Sequence, residues 1–302
     1  MMSDGLRGSH RRGGHSLNSM LTRRRFIRNV SLSAAGSMGF TGYGVAGALD
    51  LPGLRHTTLE LADLPPEWEG LTIVQVSDVH AGPYMPVERM RRVAEMVNGL
   101  AADLVVFTGD QMDRRPSDAE QFVAGFSGLE APLGVYGVLG NHDHFIDPEL
   151  SERALEEAGI TPLVNRSVRF QRRGVELALV GLEDLSAVAG RGPDFSALEG
   201  HGDAFRMCLS HQPRSWHDAA AAGAHLTLAG HTHGGQIALT QRNLNVARIQ
   251  GRYIAGEYRR RDAALYVSRG IGVGAVPLRF GAPPEVDLLV LRRPADKVRV
   301  AA

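Results

Sequence analysis

The chain has 302 residues, of which 43% are hydrophobic and only 6% aromatic, so aliphatic side chains must supply most of a sizeable core. Its 33 basic and 33 acidic residues give a net charge of zero at pH 7. The single cysteine, Cys208, excludes an internal disulfide framework, and its apolar neighbours favour a buried structural thiol.

The first 48 residues differ from the rest because they carry seven arginines and one acidic residue, Asp4. Residues 22–28, which include Arg23 and Arg24, resemble a twin-arginine export signal. A mildly apolar run at 30–44 and small residues at 46–48 follow in the order expected for a cleavable leader. We expect export by the twin-arginine machinery to a periplasmic or other extracytoplasmic location. Association with the membrane surface and a disordered basic tail are the alternatives.

Replacing Arg23 and Arg24 by lysine in a full-length reporter fusion is expected to retain the fusion inside the cell, because the export signal depends on the arginine pair. Cell fractionation and immunoblotting measure this. Export of the double variant at the normal level would count against the twin-arginine interpretation.

Residues 49–302 are interpreted as one compact domain, in which acidic residues exceed basic ones by six. This balance gives no reason to expect general nucleic-acid binding. In its first half, apolar runs predict strands at 57–61, 71–76, 104–108 and 135–139. Helices are predicted over 86–100, from Ser117 as N-cap with Glu120 in a capping box, and from Asp147 and Pro148.

The second half of the domain is richer in strands. Residues 168–171 and 175–180 flank an Arg-Arg-Gly turn and predict a β-hairpin. Further strands are predicted at 204–209, 226–229, 263–267 and 286–291, with a helix around 215–222.

Five of these apolar runs end in polar residues that can bind metal: Asp78 and His80, Asp110, Asn141 and His142, His211, and His231 with His233. In open strand–helix sheets, ligands gather outside the carboxyl ends of the strands, so these side chains can meet in space. Each motif alone is more often an ordinary turn, but the five together predict a metal site. Imidazole and carboxylate ligands favour Zn, Mn or Fe over Ca or Mg.

The motifs Asp-x-His, Gly-Asp-x-x-Asp, Gly-Asn-His-Asp, His and Gly-His-x-His occur in an order similar to that of the calcineurin-like metallophosphoesterases. The resemblance spans about residues 55–291, and residues 77–82, 230–236 and 265–270 look most like the bacterial exported or membrane-associated phosphodiesterase branch. It implies an α/β fold, a four-layer sandwich in which two facing mixed β-sheets are flanked by helices.

The resemblance also implies two divalent metal ions, with Mn, Zn or Fe as candidates. It assigns one ion to Asp78, His80, Asp110 and His233, and the other to Asp110, Asn141, His211 and His231. The implied reaction is hydrolysis of a phosphate ester, with a phosphodiester favoured, by a metal-bridging hydroxide. His142 is implied as the catalytic histidine at the leaving oxygen. Asp143 is the catalytic candidate that partners its ring, with a different carboxylate as the alternative.

Two other functions remain open on the sequence: a nucleotide-sugar lipid pyrophosphatase, and a non-catalytic scaffold of the same fold. The complete ligand set argues against the scaffold, which has no need to retain it. Asp113 is interpreted as structural support rather than a ligand. Arg114, Arg115 and His144 are candidates for substrate contact because they lie close to the motifs.

Overall fold

The computed structural model describes residues 44–45, 47–188, 192–238, 251–274 and 276–294. The chain divides into a unit of residues Met1–Thr41 and a unit of residues Gly42–Ala302. The twin-arginine motif at 22–28 lies outside the described residues, so export stays a prediction. Within the described ranges, none of the helices has the length and apolar character that a bilayer-crossing helix requires.

Six strands form the first sheet, in the order β1, β12, β2, β3, β4 and β5. Their bounds are Gly53–Glu60 (β1), Thr72–Val76 (β2), Leu104–Thr108 (β3), Val135–Val138 (β4), Thr161–Pro162 (β5) and Glu285–Arg292 (β12). All neighbours pair in parallel except β12 and β2, which are antiparallel. The nearly continuous apolar runs of β2, β3 and β4 suit strands that are buried on both faces.

The second sheet also has six strands, in the order β10, β11, β9, β8, β7 and β6. Their bounds are Arg166–Arg172 (β6), Val175–Gly181 (β7), Phe205–Leu209 (β8), Leu226–Ala229 (β9), Gly256–Arg260 (β10) and Ala263–Val267 (β11). Strands β7, β8, β9 and β11 are parallel, and the edge strands β6 and β10 pair antiparallel. The predicted hairpin is confirmed as β6 and β7.

The two sheets face each other across an apolar core, and the alternation of side chains along each strand explains the layers. In β3, Leu104 and Val106 belong to the core between the sheets, whereas Val105 and Phe107 pack on the other face against helices. In β7, Leu179 faces the first sheet and Val180 faces the opposite side. The predicted four-layer α/β architecture is therefore confirmed.

Five α-helices flank the sheets: α1 (Val87–Gly99), α2 (Ser117–Phe126), α3 (Asn141–Ile146), α4 (Pro148–Glu157) and α5 (Trp216–Ala221). Asp147 caps α4 as predicted, because its Oδ1 accepts the N–H of Leu150 at 2.9 Å. The cap predicted at Ser117 is wrong, since Ser117 is the first residue of α2. Asp118 instead accepts the backbone N–H groups of the two preceding arginines.

Residues on the N-terminal side of the predicted boundary at residue 48 contact the domain. Residues 44–45 and 47–49 are helical, and Ala48 is buried. The Arg89 guanidinium donates a 3.1 Å hydrogen bond to the carbonyl of Ala48, and the backbone N–H of Arg279 donates to that of Gly44 at 3.0 Å. These contacts attach the end of the predicted leader to the folded unit.

A buried polar contact joins the two sheets between Tyr266 of β11 and Asp287 of β12. The Tyr266 hydroxyl donates a 2.6 Å hydrogen bond to Oδ1 of Asp287, which is fully buried. Burial, followed by the nearby charge of Glu285, raises the pKa of the Asp287 carboxyl to about 7. An acid with a raised folded-state pKa stabilises the fold most when it is protonated.

We expect Asp287→Asn to remove a loss of stability that the wild-type protein shows as pH rises from about 4 to about 7. The unfolded chain has its Asp pKa near 4, so the folded protein holds one extra proton in this window and loses that advantage as pH increases. Urea unfolding at pH 5 and pH 8 should show the variant gaining about 1–3 kcal/mol relative to wild type at the higher pH. The exposed Asp218→Asn serves as control, and an identical pH dependence in wild type and Asp287→Asn would refute the assignment.

Candidate metal centre

The predicted site residues all follow the carboxyl ends of parallel strands. By strand they are Asp78 and His80 after β2, Asp110 after β3, Asn141, His142 and Asp143 after β4, His211 after β8, and His231 and His233 after β9. Since these strand ends from both sheets meet on one side of the sandwich, residues that are far apart in sequence lie together.

Backbone geometry at this edge is unusual, because five of the seven predicted ligands have positive φ. They are Asp78 (51°), His80 (48°), Asp110 (54°), His231 (73°) and His233 (51°). The left-handed region costs an ordinary residue about 1 kcal/mol or more, and such residues concentrate at functional sites. Hydrogen bonds hold these turns in place, with the N–H of His231 donating to Asp78 Oδ1 at 3.0 Å.

One group of donor atoms contains Asp78, His80, Asp110 and His233, all buried. Nε2 of His80 lies 3.1 Å from Nε2 of His233 and 3.6 Å from Oδ2 of Asp110. Nε2 of His233 lies 3.4 Å from Oδ1 of Asp78. The structure therefore brings together the four residues that the resemblance assigned to one ion.

A second group is centred on His211. Its Nε2 lies 3.3 Å from Oδ2 of Asp110, 3.1 Å from Oδ1 of Asn141 and 3.2 Å from Nδ1 of His231. The same oxygen of Asp110 thus belongs to both groups of donors. A carboxylate oxygen in this position is suited to lie between two cations.

The distances between donor atoms in both groups fit a divalent cation. Ligands bound at about 2.0–2.2 Å to one ion lie roughly 2.8–3.6 Å apart in octahedral or tetrahedral coordination. The distances above fall between 3.1 and 3.6 Å. Nitrogen and oxygen donors that point at one another in a buried site are thereby explained, and the mixture of imidazole and carboxylate suits Zn, Mn or Fe.

Electrostatic coupling between these donors is strong. Burial lowers the pKa of His211, but the Asp110 carboxylate outweighs burial and raises that pKa to about 10. Burial and then the charge of His211 lower the pKa of His231 to about 4. For Asp110, burial is outweighed by the His211 and His80 imidazoles, and the pKa falls well below its usual range. Donors directed at a common point, where a cation would compensate their charges, show this pattern.

His142 lies at the edge of the first donor group, with its ring 4.6 Å from that of His80 and its side chain 22% exposed. Nδ1 of His142 is 2.6 Å from the backbone carbonyl oxygen of Asp113. Because a carbonyl can only accept, Nδ1 carries a proton and Nε2 remains for a ligand. This orientation suits hydrogen bonding or proton donation to a leaving oxygen.

Asp143 occupies a different position from the one expected of a ring partner. It is fully buried, and its carboxylate accepts the backbone N–H groups of Gly140 at 2.8 Å, Gln111 at 3.0 Å and Met112 at 3.2 Å. The carboxylate that faces the His142 ring is instead that of Asp113, whose Oδ1 is 3.7 Å from Nδ1. Asp143 thus ties the start of α3 to the loop after β3, and the alternative of a different carboxylate beside His142 is the one the geometry supports.

Asp113 lies between the first donor group and His142. Its Oδ1 is 3.5 Å from Nδ1 of His80, whose Nε2 is the atom that faces the other donors. Burial raises the pKa of Asp113, but the hydrogen bond and charge of His80, with the charge of His142, lower it overall. Although these three residues also form a compact group, the direction of His80 makes Asp113 a positioning residue. This agrees with its interpretation as support.

The other substrate-contact candidates have structural partners. Nε2 of His144 lies 2.7 Å from Oε1 of Glu183 in a mostly buried pair, which joins α3 to the loop after β7. Arg114 is exposed, and its Nε lies 3.6 Å from Oδ2 of Asp113. The sequence motifs contained no signal for the His144–Glu183 pair, because the two residues are separated by a strand and a helix.

The motifs also did not reveal Arg279, which is buried behind His233. Its Nη2 lies 3.2 Å from Nδ1 of His233 and donates to the carbonyl of Arg269 at 2.9 Å. Burial, the charge of His80 and the charge of Arg279 lower the pKa of His233, which keeps the ring unprotonated and able to bind a cation. Arg279 lies in a loop without a periodic pattern, so only the tertiary structure places it here.

The fold and this cluster define a metal-dependent phosphoester hydrolase. The chain belongs to the calcineurin-like phosphoesterase family, whose model matches residues 71–235. A *Bacillus subtilis* relative, the uncharacterized metallophosphoesterase YkuE, is 30% identical over 283 residues, covering 90% of this chain and 98% of the relative.

A *Bos taurus* relative, a transmembrane protein with a metallophosphoesterase domain, is 31% identical over 298 residues and 93% of this chain. The chain spans 66% of that relative's length and 60% of its *Danio rerio* counterpart. Among solved structures, a 5'-nucleotidase from *Staphylococcus aureus* is similar in fold, at 14% identity with a TM-score of 0.44, covering 74% of this chain and 55% of that one.

Proposed function

We propose that the protein hydrolyses a phosphodiester with two divalent cations bound at the donor groups around Asp110. The single observation that carries this proposal is the position of Asp110 Oδ2, which faces His80 Nε2 at 3.6 Å and His211 Nε2 at 3.3 Å. When bound, divalent cations supply Lewis-acid stabilisation to phosphate oxygens and acidify a water molecule.

The residues of the chain supply binding and orientation around that chemistry. Asp78, His80 and His233 would hold one cation, and Asn141, His211 and His231 the other, with Asp110 shared. His142 has a fixed tautomer and a free Nε2, which suits a hydrogen bond or a proton for the departing oxygen. Asp113 positions both His80 and His142.

Preference for a diester is supported by space beside the second donor group. A cavity of about 730 Å³ is bordered by Asn141 and His231, so an ester with two organic substituents has room next to the donors. The similarity to the *Bacillus* relative over almost its whole length supports the bacterial branch suggested by the sequence.

Purified protein loaded with Mn²⁺ or Zn²⁺ should hydrolyse bis(p-nitrophenyl) phosphate with a higher kcat/KM than p-nitrophenyl phosphate, measured by p-nitrophenol absorbance. Removing the metal with a chelator should abolish turnover, and adding Mn²⁺ should restore it. Exclusive cleavage of a diphosphate such as UDP-glucose would favour the pyrophosphatase instead. Absence of hydrolysis of all three compounds by fully loaded protein would favour a scaffold.

For localisation, we propose export through the twin-arginine pathway, with the catalytic unit outside the cytoplasm and near the membrane surface. The arginine-rich motif at 22–28 supports export. The name of the bovine relative, a transmembrane protein, agrees with a membrane-proximal location.

A further inference from the structure

The cavity beside the second donor group has features that the proposed hydrolysis does not use. Its volume is about 730 Å³, much larger than one phosphate group, and it lies within the size range of small-molecule sites. Asn141 and His231 form one side, while Phe145, Arg214 and Tyr253 lie on the remaining wall. A ligand whose phosphorus is near the metal donors would therefore extend its organic part into this space.

The wall of the cavity is cationic. Arg214 and Arg252 both border it, and among the described residues neither forms an ion pair with a carboxylate. The described lining residues include no Asp or Glu. The neighbouring Asp184 is already hydrogen bonded, since it accepts from Gln212 Nε2 at 2.9 Å and from the N–H of Ser186 at 2.7 Å. Two unpaired guanidinium groups in a concave wall form an anion site.

Tyr253 adds a third donor because of the way its neighbour His217 is held. Nη1 of Arg260 lies 2.6 Å from Nδ1 of His217, and a guanidinium can only donate, so Nδ1 is the unprotonated acceptor. Nε2 of a neutral His217 then carries the proton and donates to the Tyr253 hydroxyl oxygen at 2.7 Å. The hydroxyl hydrogen of Tyr253 is consequently available to a ligand in the cavity that both residues line.

Aromatic side chains complete the wall. Tyr253 is fixed by an edge contact with Trp216, whose ring centroid is 5.2 Å away. Phe145, on α3, is 71% exposed, which is unusual for a large apolar side chain beside a polar site. Fixed flat rings next to guanidinium groups suit an organic group that has a planar or apolar face and carries negative charge.

We propose that this cavity binds the organic part of the substrate and that Arg214, Arg252 and Tyr253 bind a second phosphate group on it. The inference rests on the proposed phosphodiesterase function and names its substrate class: a phosphoester that carries a phosphate beyond the one being cleaved. That phosphate is either adjacent, as in a diphosphate, or attached elsewhere on the organic group.

A matched pair of esters tests the proposal: thymidine 5'-(p-nitrophenyl phosphate) with and without a 3'-phosphate. In the wild-type protein, the 3'-phosphate should raise kcat/KM about 10–100-fold, as expected for charge-assisted hydrogen bonds. This ratio should fall to about one in Arg214→Met and decrease several-fold in Arg252→Met and Tyr253→Phe. Arg92→Met, an exposed arginine on α1, should keep the wild-type ratio. UDP-glucose tests the adjacent source, and its turnover should show the same dependence on Arg214 if the second phosphate is adjacent.

Calorimetry provides a readout that does not need turnover. Thymidine 3',5'-bisphosphate should bind at least ten times more tightly than thymidine 5'-monophosphate, and Arg214→Met should remove the difference. Equal affinities, or a wild-type preference in all three variants with normal metal content, would overturn the proposal. Failure to hydrolyse bis(p-nitrophenyl) phosphate would instead count against the phosphodiesterase function, and the calorimetric comparison would still decide whether the anion site exists.

Discussion

Asp110→Asn is expected to reduce kcat/KM for bis(p-nitrophenyl) phosphate by at least about 100-fold and to lower the metal content at both donor groups. Changing partners outside the ligand set already costs 10–100-fold in comparable metal sites, and Asp110 is placed within the set. Its Oδ2 is the oxygen common to both groups, while its Oδ1 accepts the backbone N–H of His142 at 2.9 Å. The substitution therefore removes negative charge from both groups without removing the side chain.

Metal content by mass spectrometry of desalted protein, together with steady-state kinetics, measures this effect. Asp218→Asn, an exposed change on α5, is the control for loss of charge alone. The circular dichroism spectrum should remain that of wild type. Full metal occupancy with normal turnover in Asp110→Asn would show that the carboxylate does not serve both groups.

His142→Ala is expected to retain its metal and to lose about 10²–10⁴-fold in kcat, the range that a general acid contributes. The ring lies outside the two donor groups, and its Nδ1 is held by the Asp113 carbonyl at 2.6 Å. The loss should be smaller for a p-nitrophenyl ester than for an ester of an aliphatic alcohol, because nitrophenolate leaves without a proton.

The comparison of two leaving groups distinguishes proton donation from a merely structural role, which would reduce both rates equally. His144→Ala is a matched control on the same helix, because its ring is paired with Glu183. Unchanged turnover in His142→Ala with either ester would remove this residue from the mechanism.

The sequence was sufficient to predict the architecture because most strands are short apolar runs that end in glycine or a polar residue. Strand β3 is an example: its five residues are all buried, and Asp110 follows directly after Gly109. Strand β10 was not predicted because Glu257 and Arg259 give it the composition of a loop. It is an edge strand with most side chains exposed, where the apolar signal is weak.

The site was predictable where its residues follow strand ends, and it was not where tertiary contacts decide. The motif order brought Asp78, His211 and their partners into one set, because parallel strands share a carboxyl edge. The choice between Asp113 and Asp143 could not be made in the same way. Asp143 is next to His142 in the chain, but the turn at the start of α3 directs its carboxylate to backbone amides. Sequence neighbours on a helix do not face the same side.

The left-handed backbone at five ligand positions has a consequence for how the centre can change over generations. Aspartate, asparagine and histidine are the residues, apart from glycine, that tolerate this conformation best, and they also bind transition metals. One short set of residue types therefore satisfies both the turn and the ion. Exchanges within that set can alter the preferred cation while the loops keep their shape, whereas a β-branched residue at Asp78 or His231 would disturb both. Selectivity for the metal can thus diverge among relatives faster than the architecture that carries it.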